Sequence, residues 1–172
     1  MRGTVILSHG LHSSPDATKV GAMAQVAGAA GWAHQRPDFR DLDSSGRLAD
    51  IDRRIQRLCE HIDAVAGRGP VVLAGSSMGA FASALATLHC RVDGLFLLVP
   101  PAVIDGYPQA LDAARVPTWI IHAWDDELIP AMDVVRWARR RRNHLVMVPD
   151  GHRLEAHVGL CAETFGRFLD TL

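Results

Sequence analysis

The run Gly75-Ser76-Ser77-Met78-Gly79 sets a serine between glycines at both second neighbours. Pro70-Val71-Val72-Leu73-Ala74 ahead of it reads as a buried strand, and the small-residue stretch Ala80–Ala86 behind it as a helix. A serine on so sharp a strand-to-helix turn is the G-x-S-x-G elbow, which lifts a hydroxyl clear of a sheet. Side chains at 75 and 79 would collide with neighbouring backbone, and the serine itself must adopt a strained conformation. The helix behind it opens with free N–H groups that favour developing negative charge. The chemistry this suggests is attack on a carbonyl. A hydroxyl is a weak nucleophile until a base takes its proton, and that base needs an orienting acid. Both follow downstream, acid first and histidine second: His122-Ala123-Trp124-Asp125-Asp126-Glu127-Leu128-Ile129-Pro130, then Val148-Pro149-Asp150-Gly151-His152.

The elements that must position these groups are legible as short apolar runs alternating with helical patterns. Strands are expected at Thr4–Ser8, weakly around Trp32–Arg36, and at Val71–Ala74, Gly94–Val99, Thr118–His122 and Leu145–Val148. Ser14-Pro15-Asp16 reads as the start of a first helix, with a capping serine, proline at the first position and an acid in the first turn. Val20, Met23, Ala24 and Ala27 would form its buried face. Leu48, Ile51, Ile55, Leu58, Ile62 and Val65 make the stripe of another helix, ended by Gly67. A later helix opens at Pro130, and the last carries Val158, Cys161, Phe165, Phe168 and Leu169. Such β-α-β alternation implies a parallel sheet with helices on both faces. The serine, the acids and His152 then lie just past strand C-termini, on one edge of the sheet. The stretch from Pro100 to Arg115 breaks the alternation; it reads as a loop with a short helical turn around Gln109–Ala114, on the edge where ligands bind.

Four stretches in order resemble the α/β-hydrolases, and among them the small serine hydrolases and esterases that lack a cap domain. Ser8-His9-Gly10-Leu11 with Ser13-Ser14-Pro15 resembles the oxyanion loop after the first strand, and Gly75–Gly79 the elbow. His122 to Pro130 resembles the acid loop, and Gly151-His152 the final histidine. Ala123 departs from the pattern, which has glycine there, and the family's first two strands are missing. The resemblance implies an α/β three-layer sandwich in one domain, residues 1–172, with a trimmed parallel sheet of about six strands and no cap. Carried over by position, Ser77 would be the nucleophile, His152 the general base and later acid, and Asp126 the orienting carboxylate. Asp125 and Glu127 compete with Asp126 for that place. The backbone N–H groups of Leu11 and Met78 would form the oxyanion hole, each such donor typically worth about 3 kcal/mol in the transition state. Leu11, Val103, Ile104, Tyr107, Trp124 and Leu154 are the apolar residues expected to line an acyl pocket. The implied activity is hydrolysis of a small carboxylic ester or thioester, with no cofactor. A peptidase or amidase using the same triad, or a partner-binding protein with vestigial activity, remains open.

Composition narrows the rest. With 172 residues, 48% hydrophobic and 22% charged, the chain has room for one substantial core. A net charge of −1 gives no reason to invoke nucleic acid or an anionic membrane. Arg139–Arg142 would close a helix where cations complement its dipole. The nine histidines include the pairs His9/His12 and His152/His157, but neither pair has zinc-site spacing with further ligands, so no metal is expected. His9 is expected to order its loop, and His157 to lie on a helix surface. There is neither G-x-G-x-x-G nor a phosphate loop. Cys59, Cys90 and Cys161 are dispersed and read as reduced thiols within helices. No secretory signal or span of ~20 apolar residues is visible, so a cytoplasmic location is expected. The expected partner is a small acyl substrate; a trimmed sheet also leaves an edge, or a helix, that could pair with a second copy.

Overall fold

A computed structural model describes residues 1–172, apart from the side chain of Ala49. Six strands, β1 (Thr4–Ser8), β2 (Ala33–Gln35), β3 (Val71–Ser76), β4 (Gly94–Leu98), β5 (Thr118–Ala123) and β6 (His144–Val148), pair in the order β2-β1-β3-β4-β5-β6. Every pairing is parallel. The helices are α1 (Thr18–Ala29), α2 (Arg40–Asp43), α3 (Ala49–Val65), α4 (Met78–Ala86), α5 (Ala131–Arg141) and α6 (Val158–Leu169).

Strand side chains alternate between two cores, which is why the central strands are apolar at nearly every position. Val5, Leu7, Val72, Ala74, Phe96 and Leu98 meet α1 and α6, with Phe165 and Phe168 filling that side. Ile6, Leu73, Leu95, Leu97 and Ile120 meet α3, α4 and α5 through residues such as Leu58, Phe81 and Trp137. The result is a three-layer α/β sandwich. Residues 99–117, between β4 and β5, contain no helix, and no inserted cap covers the sheet edge.

Strand order reverses between β1 and β3, because the chain leaves β1 toward β2 and returns to its other side. Open α/β sheets bind ligands at such a switch point, beyond the strand C-termini. The loop after β1 and the elbow after β3 both lie there, held adjacent by the Ser8–Gly75 register.

Three local expectations are corrected. Ser14 does not cap a helix: its Oγ accepts the N–H of Asp16 in a turn, and α1 starts at Thr18 without a side-chain cap. Gln109–Ala114 forms no helical turn, because outside partners take its backbone groups. Leu111 N–H donates to Ala102 O, Ala114 N–H to Thr87 Oγ1, and Arg141 takes the carbonyls of Ala113 and Ala114. Arg141 is thus drawn inward, unlike an exposed helix-end cation. Cys90 lies in the turn beyond α4, not within a helix, while Cys59 and Cys161 are helical; all three are free thiols.

Candidate active site

The elbow owes its shape to crowding on two sides. A Cβ on Gly79 would overlap the carbonyl oxygens of Ser8 and His9, and one on Gly75 would overlap the Gly79 carbonyl. With both side chains absent, α4 starts directly against the end of β1. Ser77 is left at φ 54° and ψ −119°, a positive φ that a non-glycine residue adopts only when its surroundings impose it. Its N–H donates to Leu98 O at 2.9 Å and its carbonyl accepts from Phe81 N–H at 3.0 Å, so neighbours on both sides hold the strained residue.

Three sequence-predicted side chains meet in one hydrogen-bonded line. Ser77 Oγ lies 2.9 Å from His152 Nε2, and His152 Nδ1 lies 2.8 Å from Asp126 Oδ2. A ring facing a carboxylate on Nδ1 carries its proton there, which leaves Nε2 free to accept the serine proton. Asp126 Oδ1 accepts the N–H groups of Leu128 and Ile129 at 2.9 and 2.8 Å. The Asp126 side chain is fully buried. Burial alone would raise its pKa, but the His152 ring and the two amides outweigh that and hold the carboxyl below its ordinary value.

The competing acids have other places. Glu127 accepts the backbone N–H of His152 at 3.0 Å, which holds the histidine loop and not the ring. Asp125 is exposed and uses its backbone N–H to reach Asp150 O. Asp150 itself accepts from His157 at 2.8 Å, so His157 is tied to the turn and does not lie free on a helix surface. On the far side of the same loop Lys19 Nζ donates to Arg153 O. The loop bearing His152 is therefore pinned from two directions.

His122 sits behind this line, with its side chain wholly buried. Its Nε2 lies 3.8 Å from Asp126 Oδ2 and 3.3 Å from Ile129 O, while Nδ1 has no partner. Burial pushes its imidazole below the ordinary value.

Ser77 and His152 open on a cleft of about 750 Å³. Its lining mixes apolar residues, among them Met78, Pro101, Ile104 and Leu128, with polar ones, among them His12, Ser13, Lys19 and Arg153. Of the residues expected to line a pocket, Leu11 and Ile104 do so. Leu154 does not: at φ 53° it turns into the core beside α6 and is fully buried. Tyr107 is also directed elsewhere, its ring edge-on to Phe81 and its hydroxyl donating to Asp52 at 2.5 Å. Val103 and Trp124 are exposed and stand outside the lining. Among the described residues, no group of three His, Cys, Asp or Glu side chains is placed to hold a metal ion. None of the helices is long and apolar enough to cross a membrane.

The loop after β1 is ordered by His9, as expected, and by Arg54 and Asp43, which sequence reasoning missed. His9 is buried; its Nδ1–H donates to Gly10 O at 2.8 Å and its Nε2 accepts Phe39 N–H at 3.0 Å. Burial, ahead of any neighbour, pushes this imidazole below its ordinary value. Arg54 on α3 is 2% exposed, and it donates to His9 O at 2.9 Å, Gly10 O at 3.3 Å and Asp43 Oδ1. Asp43 Oδ2 in turn accepts the N–H of His12 at 3.2 Å. A signal for Arg54 did exist. It falls three residues after Ile51 and four before Leu58, on the edge of the buried stripe, where an arginine needs a partner. Among the described residues, the N–H groups of Leu11 and Met78, both at the cleft, have no acceptor within the chain.

No protein-family model matches the chain, and no curated protein matches its sequence. Solved structures do. A protein from Xanthomonas campestris pv. campestris assigned to the alpha/beta hydrolase superfamily is 51% identical, over 99% of this chain and 100% of its own, with a TM-score of 0.95. An α/β serine hydrolase without lid from Xanthomonas campestris is 19% identical, with coverage of 99% and 82% and a TM-score of 0.76. Est1E from Butyrivibrio proteoclasticus, with ferulic acid bound, is 17% identical, with coverage of 98% and 88% and a TM-score of 0.78. The last two share the fold. With 51% identity to the first over essentially the full length of both, the chain belongs to the α/β-hydrolase superfamily.

Proposed function

We propose that the protein is a serine hydrolase that cleaves a small carboxylic ester or thioester through an acyl-enzyme intermediate. The observation that carries this reading is the unbroken line from Ser77 Oγ through His152 to buried Asp126, at 2.9 and 2.8 Å. Both distances are within the reach that proton transfer in catalysis requires. Ser77 attacks the carbonyl carbon as His152 Nε2 takes its proton. The resulting oxyanion is held by the N–H groups of Leu11 and Met78, which are free of acceptors in the chain. His152 then gives its proton to the departing alcohol or thiol. A water molecule, deprotonated by His152, attacks the acyl carbon and releases the acid. Asp126 keeps the ring oriented and stabilises the imidazolium that forms. The apolar lining residues, among them Met78, Pro101, Ile104 and Leu128, suit an acyl group.

A fluorophosphonate probe is expected to label the wild type and not Ser77→Ala; equal labelling of both would sink the assignment. An acyl-chain series of p-nitrophenyl and thioester substrates then reads the acyl preference, with Ser77→Ala as the blank. Faster turnover of an aminoacyl anilide than of p-nitrophenyl acetate would overturn the ester reading in favour of a peptidase.

A further inference from the structure

We propose that Arg54 is a positioning residue for the oxyanion hole, acting on the Gly10–Leu11 peptide through the carbonyl of Gly10. The proposal rests on the reading above in that Leu11 supplies one of the two oxyanion donors. Every peptide bond here is trans, so the Gly10 C=O and the Leu11 N–H point in opposite directions from one rigid plane. Whatever holds the oxygen therefore aims the hydrogen. The Gly10 oxygen accepts from His9 Nδ1–H at 2.8 Å and from Arg54 Nη2–H at 3.3 Å, so both of its lone pairs are engaged. Arg54 Nη1–H holds the preceding carbonyl, His9 O, at 2.9 Å. Asp43 takes the N–H of His12, a residue at φ 53° that turns the chain away immediately afterwards. Three successive peptides are thus restrained from the protein side, while Leu11 N–H keeps its hydrogen for the cleft.

Charge matters as well as aim. A guanidinium on the oxygen of an amide draws electron density from its far end and makes the N–H a stronger donor, as in any polarised chain of hydrogen bonds. Arg54 does not line the 750 Å³ cleft. It lines a smaller pocket of about 100 Å³ that shares Leu11, His12 and Met78 with it, and it meets the loop through the carbonyls of His9 and Gly10. Stability alone does not explain the pair. A buried Arg–Asp pair can commonly be replaced by apolar residues of similar volume without loss of stability. Two donors on adjacent carbonyls are what an apolar replacement could not supply.

The test removes the pair together, as Arg54→Met/Asp43→Leu, so that no uncompensated charge is buried. With p-nitrophenyl acetate, kcat is expected to fall roughly 100-fold, the loss typical of one oxyanion donor, with KM changed little. Binding of a trifluoromethyl ketone, whose adduct places an oxyanion in the hole, should weaken in parallel with kcat. Neither change is expected of a variant altered only in stability and assayed well below its melting temperature. Arg54→Lys, which keeps the charge but reaches one carbonyl at a time, should recover part of both; it carries the same readouts should the double variant not fold. A folded variant with wild-type kcat and unchanged ketone affinity would overturn the proposal. A crystal structure of the variant gives a readout independent of turnover: the Gly10–Leu11 peptide should be rotated, and an unrotated peptide also overturns it. If the wild type shows no Ser77-dependent ester turnover, the functional reading falls, while the peptide's orientation still decides this one.

Discussion

Asp126 and Asp43 are both buried carboxylates beside the same cleft, and they are answered in opposite ways. Asp126 faces an imidazole and two backbone amides. Asp43 faces a guanidinium that never gives up its charge, together with one amide. The first arrangement leaves part of the carboxylate's charge uncommitted until the ring gains a proton, which is when a hydrolase needs it. The second is complete at rest and holds a loop still. One buried charge therefore serves a proton in motion, and the other serves geometry.

Substitution should separate the two. Asp126→Asn is expected to lower kcat/KM by about 10⁴-fold, because the amide would favour the wrong tautomer of His152. Its loss of stability should be smaller than at Asp43, because an amide oxygen can still accept the N–H groups of Leu128 and Ile129. Asp43→Asn should show its larger effect in stability, leaving Arg54 buried without a counter-charge at a cost of about 3–5 kcal/mol. Its loss of kcat should be smaller than that of Asp126→Asn, because Arg54 can still reach the carbonyls of His9 and Gly10. Denaturant titration and steady-state kinetics on both variants check this. If both lose activity with equal stability, or both lose stability with equal activity, the contrast fails.

Acid separates the two loops in turn. His9 and His122 both have lowered pKa values when folded, so the unfolded chain binds their protons more readily. Stability is then full above the ordinary imidazole value of about 6.5 and erodes as pH falls below it. Asp126 is also lowered, so its contribution is present above the ordinary carboxylate value of about 3.9 and is lost as pH falls through its folded value. Melting temperature against pH should therefore decline in two stages. His9→Gln should flatten part of the upper stage, and Asp126→Asn the lower. A level curve from pH 7 to pH 5 would contradict the buried, neutral histidines. The smallest effect is expected at the periphery. Tyr107→Phe removes one partly exposed hydrogen bond to Asp52 and should cost no more than about 1 kcal/mol. A larger loss would mean that the 99–117 loop depends on that bond.

Much of this was legible in the chain before folding. All six strands fall within two residues of their expected places. The central ones were the plainest, because strands covered on both faces need apolar residues at nearly every position, whereas edge strand β2, Ala33-His34-Gln35, gave only a weak signal. Ser77, Asp126 and His152 stood out because each occupies a constrained turn just past a strand. The pocket wall was much less legible. Tyr107, Val103, Trp124 and Leu154 are apolar residues near the right strand ends, yet the direction of each side chain depends on neighbours distant in sequence. Leu154 illustrates this, since a positive φ turns it into the core and away from the cleft. Arg54 was hidden for the opposite reason. It follows Arg53 on an amphipathic helix, and its place at the edge of the buried stripe says that it needs a partner but not that the partner is a loop 44 residues earlier.

Local sequence by itself determined the elements, their parallel arrangement, and the placing of Ser77, the acidic loop and His152 just past strand ends, because periodicity and turn chemistry act over a few residues. Tertiary structure alone decided which acid faces His152, which apolar residues line the cleft, and what holds the Gly10–Leu11 peptide. Those choices depend on hydrogen-bond directions and burial between segments far apart in the chain, and such directions exist only once the sheet has brought the segments together.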